Sequence, residues 1–130
     1  MDDYQAPAWF DAKNFAEGAK SHFLRLQAAW DKADFNDIRE YTTPELFEEL
    51  RRERLELGTE PQITEAVTLQ VQLAGVRRDG DLVVVSLEFS GLIREAASEG
   101  ANPFHEIWHI QHTWNTPDGD WFITGIQQVG

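Results

Sequence analysis

From Asp11 onward, Phe15, Ala19, Phe23, Leu26 and Trp30 recur at spacings of four, four, three and four, which puts them on one stripe and predicts an amphipathic helix. Lys13, Glu17, Lys20, Arg25 and Asp31 fall largely outside that stripe, while His22 beside it reads as a partly buried structural histidine. A short helical pattern follows over Asp34 to Tyr41, with Ile38 and Tyr41 three apart. Thr42-Thr43-Pro44-Glu45 is a helix start: a hydroxyl cap, a proline where the missing N–H costs nothing, and an acid in the first turn. Leu46, Phe47, Leu50, Arg54 and Leu57 continue at helical spacing until Gly58 supplies a stop.

After Pro61 the period changes from helical to alternating. Val67, Leu69, Val71 and Leu73 alternate with Thr68, Gln70, Gln72 and Ala74, the pattern of a half-buried strand. Asp79-Gly80 marks a turn, and Leu82 to Ile93 resumes the alternation with Val83, Val85, Leu87 and Phe89 on one face. Residues 95 to 103 are mostly small and polar and predict a loop. Phe104, Glu106, Trp108, Ile110, His112 and Trp114 then share one face of a third strand, with His105, Ile107, His109, Gln111 and Thr113 on the other. A turn cluster over Asn115 to Asp120 leads into a last strand from Trp121 to Ile126. Helices first and at least four hairpin-connected strands afterwards make an α+β class: N-terminal helices packed on a curved antiparallel sheet of about four strands. Gly75, Gly91 and Gly125 are the candidates for the bulges that let long strands bend.

The third strand contains His105-Glu106-Ile107-Trp108-His109, a literal H-E-x-x-H zinc-protease pattern. That chemistry needs a helix, where residues four apart lie about 6 Å from each other on one face. In a strand the two imidazoles are about 13 Å apart at roughly 3.3 Å per residue, too far to share one metal. The alternation on both sides favours the strand, and no metal ligand is assigned.

Composition narrows the function further. The 130 residues suit a single core, with an arm at residues 1–10 and one domain over residues 11–130. The aromatic content of 12%, with five Trp and eight Phe, suffices for both a core and a lined pocket. A formal charge of −12 opposes phosphate backbones, so no nucleic-acid partner is expected, and it lacks the basic patch that anionic lipid binding needs. With no cysteine, thiolate metal sites and cysteine nucleophiles are excluded. The start at Met1-Asp2-Asp3-Tyr4 has no secretory pattern, and no run reaches the roughly 18 apolar residues of a membrane span.

Taken together, several segments resemble the domain named after subunit 44 of the mitochondrial inner-membrane translocase. They are Ala19 to Asp31, Ile38-Arg39 and Tyr41 to Leu46. Phe89-Ser90-Gly91-Leu92-Ile93-Arg94-Glu95, Glu106-Ile107-Trp108-His109, and Trp121 with Gly125-Ile126-Gln127-Gln128 look like its bacterial branch. The resemblance implies a nuclear transport factor 2-like cone, with helices in the concave face of the sheet and a hydrophobic pocket between them. It also implies a role at the inner membrane, since mitochondrial members tether a chaperone to an import channel. Bacterial members usually carry an N-terminal membrane segment and a Gly-rich linker; neither occurs here, so the chain resembles the C-terminal domain alone and is expected to be itself soluble, either on the cytoplasmic side of the bacterial inner membrane, attached only through a missing anchor, or in the cytoplasm.

The expected ligand-binding wall comprises Phe15, Phe23, Trp30, Tyr41, Phe89, Trp108, His112 and Ile126, around a space for a lipid tail or an apolar peptide. The plainer account of the same side chains is that they simply fill a core. Trp9 and Phe10 would plug the pocket mouth or sit at a membrane interface. Isomerases and dehydratases of this shape use an Asp, His or Tyr in an apolar pocket, which makes Glu106, His112 and Tyr41 the alternative, enzymatic candidates. The reading taken forward is a non-enzymatic binding or scaffold domain without a cofactor. It leaves room for a protein partner and for a dimer through the outer sheet face that bears His105, Ile107, His109 and Gln111.

Overall fold

A computed structural model of the chain describes residues 5–58, 60–95 and 100–129. The first four residues of the expected arm, and residues 96–99 of the expected loop, lie outside that range. Helix α1 (Ala12–Lys32) begins where Asp11 turns its carboxylate onto the Asn14 N–H at 3.2 Å, satisfying one of the free donors of the first turn. It ends at Ala33, which adopts a left-handed φ of 55° so that the Ala33 and Asp34 amides can close onto the Trp30 and Ala29 carbonyls. Asp34 caps the short α2 (Phe35–Glu40), and Thr43 with Pro44 starts α3 (Pro44–Glu56), as the sequence pattern predicts. Gly58, at φ 94°, provides the turn out of α3.

Among the described residues four antiparallel strands follow in sheet order: β1 (Glu65–Asp79), β2 (Leu82–Arg94), β3 (Asn102–Thr113) and β4 (Phe122–Gln128). The segment 102–113 is thus a strand, and the H-E-x-x-H letters sit in a ladder. His105 and His109 lie on the outer face, where His105 pairs with Glu88 at 2.5 Å and His109 with the Ser86 hydroxyl at 2.8 Å. Glu106 lies on the opposite face and accepts from the Trp108 indole N–H at 3.0 Å. The zinc-protease geometry is therefore not formed.

The inner face of the sheet carries the core. Val83, Val85, Leu87 and Phe89 of β2 are fully buried, and Trp108 and Ile110 of β3 continue the layer. Phe23 of α1 inserts between them, with ring centroids 4.9 Å from Phe89, 5.4 Å from Phe104 and 5.5 Å from Trp108. Burying such a ring contributes about 2–3 kcal/mol. The alternation in β1 is not continuous, which corrects the expectation that Val67 shares an inward face with Leu69, Val71 and Leu73. Register shifts at Ala66/Thr68 and Leu73/Gly75 skip one residue each, so Val67 is 41% exposed and Val76 instead faces inward opposite Val85. A third shift at His109/Ile110, opposite Gly125, bends β3 and β4. All three glycines singled out in the sequence thus lie at or beside irregularities.

Two loose ends are tied to the sheet. Residues 41–43 run beside the outer edge of β4, with the Ile123 N–H donating to the Tyr41 carbonyl and the Thr43 N–H to the Ile123 carbonyl, each at 2.9 Å. The arm is tied at the far side: the Gln5 N–H donates to the Val76 carbonyl at 2.8 Å and the Trp9 indole to the Trp114 carbonyl at 2.8 Å.

Candidate functional site: a cavity between α1 and the sheet

Along α1 the inward stripe runs from Phe15 through Gly18 and Ala19 to Phe23. Two small residues between two large ones leave the helix standing off the sheet for one turn, and a cavity of about 640 Å³ opens there. Its floor is apolar: Leu87 and Phe89 from β2, Trp108 and Ile110 from β3, and Ile123 from β4. Phe15 and Trp121 flank it, their ring centroids 4.6 Å apart. The volume lies within the roughly 300–1,000 Å³ typical of small-molecule sites.

The rest of the lining includes polar side chains. Arg25, one helical turn beyond His22 on α1, reaches Glu40 and Tyr41 at the end of α2. Its guanidinium binds both carboxylate oxygens of Asp37, at 2.5 and 3.2 Å, and lies 4.5 Å above the Tyr41 ring. The Arg25 hydrogen bond holds the Asp37 carboxyl below the usual carboxylate range, and the same bond raises the guanidinium. Burial, and then the Asp37 charge, push the Tyr41 phenol well above its ordinary value, so that it stays protonated and donates to Asp37 at 3.4 Å. Asp120 adds a further acid beside Trp121.

Of the residues assigned to the wall from sequence, the structure brings Phe15, Tyr41, Phe89 and Trp108 together around this space. Phe23 lies behind it, stacked on Phe89 and Trp108 in the core. Trp30 sits near the far end of α1, its carbonyl taken by Arg54 at 2.6 Å. Ile126 pairs with Trp108 across β3 and β4 and packs against the core. His112 is buried beyond the wall, between Trp9 at 5.2 Å and Trp121 at 4.7 Å, with its ring nitrogens at the Thr113 and Gly119 carbonyls. Glu106 accepts from Trp108 and Gln128, so that of the three enzymatic candidates only Tyr41 borders the cavity.

Sequence reasoning passed over Trp121, Leu87, Ile110 and Ile123, as well as the polar His22, Arg25, Glu40 and Asp120. His22 is exposed and on the cavity wall, a correction to its reading as a partly buried structural residue. The Gly18-Ala19 pair within the aromatic stripe was the available signal for where the helix would stand away. The arm supports one end of the site: Phe10 packs on Phe15 at 5.4 Å and on Trp121 at 6.2 Å, both of them wall residues.

Comparison with known proteins agrees with this architecture. A family model described as Tim44-like domain matches residues 4–128. Among solved structures, the crystal structure of the intermembrane space region of the chloroplast protein ARC6 superposes with a TM-score of 0.58 at 14% identity, over 92% of this chain and 97% of that one. At that identity the likeness establishes the fold alone. No curated protein matches the chain. No helix among the described residues is long and apolar enough to cross a membrane. With helices ahead of a four-stranded antiparallel sheet and the family model matching almost from end to end, the chain belongs to the Tim44-like domain family.

Proposed function

We propose that this chain is a binding domain that holds an apolar chain, from a lipid or an apolar peptide, in the cavity between α1 and the sheet. It would serve a scaffold or transport role at the cytoplasmic side of a bacterial inner membrane. One observation carries the reading: the floor made by Leu87, Phe89, Trp108, Ile110 and Ile123 is apolar, while only a few polar side chains, among them His22, Arg25, Glu40 and Asp120, border the same space. A concave apolar site with a few oriented polar groups is the usual form of a small-molecule site. Filling it would remove apolar wall from water, at about 25 cal/mol per Å². The catalytic alternative lacks comparable support, because Glu106 and His112 are committed to other contacts.

Native mass spectrometry of the chain purified from bacterial cells tests the proposal. The expected result is a retained single-chain lipid or peptide, released on denaturation and diminished in Gly18→Leu. At Gly18 an added Cβ meets no atom within 4 Å, so the larger side chain can enter the cavity without disturbing the helix. A chain that emerges empty and takes up no added amphiphile would overturn it.

A further inference from the structure

The rim of the cavity carries information about the head group of its ligand. Among the described residues Arg25 supplies the one guanidinium on the wall, but its charge is already engaged: Asp37 holds it through two hydrogen bonds, and Tyr41 lies under its plane at 4.5 Å. Glu40 approaches the same guanidinium only to 3.8 Å and is 72% exposed, so its carboxylate remains turned largely to solvent at the rim. Asp120 is also exposed and adjoins Trp121. His22 adds an imidazole to the polar lining. With Arg25 balanced by Asp37, the rim carries an excess of negative charge from Glu40 and Asp120, in a chain whose formal charge is already −12. Phe15 and Trp121, tilted at 48° to each other, present aromatic surface on the same wall, with Asp120 next to Trp121.

Acidic groups beside aromatic rings favour a cation over an anion: the carboxylates attract it through space and the ring faces attract it on contact. A long-chain carboxylate or phosphate would meet like charge at the same place. The geometry points to a ligand in the class of single-chain amphiphiles with a cationic head, an amine or a quaternary ammonium, its chain on the apolar floor and its head drawn to the rim by the Glu40 and Asp120 carboxylates. This rests on the cavity being the binding site and adds the head-group chemistry.

Tryptophan fluorescence titrations at low salt with dodecyltrimethylammonium, dodecanol and dodecanoate, each below its micellar concentration, test it. The ammonium is expected to bind about tenfold or more tightly than dodecanoate, with dodecanol between them. About 0.5 M salt should shrink that preference. So should the double variant Glu40→Gln, Asp120→Asn, whose two positions are exposed and whose folding a thermal melt confirms. Dodecanoate binding as tightly as the ammonium would overturn the head-group inference while leaving the cavity reading intact. An ammonium preference unchanged in the double variant would also overturn it, since the attraction would then come from the acidic surface at large. If none of the three binds, dodecanol included, the cavity reading fails with it.

Discussion

Arg54 is the residue on which the helical layer depends most. It is 1% exposed, yet among the described residues it pairs with no carboxylate: its guanidinium donates to the carbonyls of Trp30, Asp31, Gly58 and Glu60, the ends of α1 and α3 and the segment that leads to β1. Helix C-termini leave carbonyls unpaired and carry partial negative charge, which is what a buried cation needs. From sequence it appeared only as a member of the α3 stripe, because spacing reveals the face and not the distant carbonyls a long side chain will reach. Arg54→Met should lower the urea-unfolding free energy by about 2–4 kcal/mol, since the carbonyls stay buried without their donor. Arg54→Lys, with a compact head in place of the fork, should recover only part of that loss. Asp37 makes a prediction in pH. Because Arg25 lowers its folded-state pKa below the ordinary 3.8, the pairing stabilises the fold above about pH 4 and is lost as pH falls through the folded value. Asp37→Asn should therefore melt slightly lower than the parent at neutral pH, by about 0.2–1 kcal/mol for so exposed a pair, and the two melting curves should converge in acid.

At the scale of elements, the start and stop of α3 were legible because each rests on local chemistry: Thr43 with Pro44, and Gly58, act where their side chains or backbone freedom predict. The inward faces of β2 and β3 were legible for a related reason, a period of two maintained across one buried layer. The face of β1 was not, since a bulge inverts the alternation and its position depends on the partner strand. Val67 lost its place in the stripe and Val76 gained one for that reason. Gly91 shows how closely the partner is involved. Its φ of 146° suits glycine alone, and a Cβ there would collide with the Thr68 carbonyl, while the Leu92 N–H donates to the Thr68 hydroxyl at 3.0 Å. Gly91→Ala should cost about 1–3 kcal/mol in chemical denaturation. An unchanged midpoint would mean that β1 and β2 do not meet as described. Half of the residues assigned to the wall from sequence do line it, because aromatic stripes mark the inner faces. Trp30 and His112 share those faces but lie at other heights along the fold, which periodicity does not encode.

For the molecule as a whole, the sheet, helices and arm converge on one space, and its existence follows from two small residues. Gly18 and Ala19 leave space between α1 and the floor, Phe10 braces Phe15 and Trp121 from outside, and Asp37 and Tyr41 hold Arg25 in place. The outer face of the sheet is different in kind: Gln72, Glu88 and His105 bond to one another there, as do Ser86 and His109, which makes it a polar surface. The most direct test of the account is a map of amide and indole NMR shifts as neutral dodecanol is added. Saturable shifts are expected at Gly18, Ala19, Ile110 and Ile123 and at the Trp108 and Trp121 indoles, with little change at Gln72, Glu88 and His109. Shifts centred on the outer face, or none at all at saturating dodecanol, would contradict it.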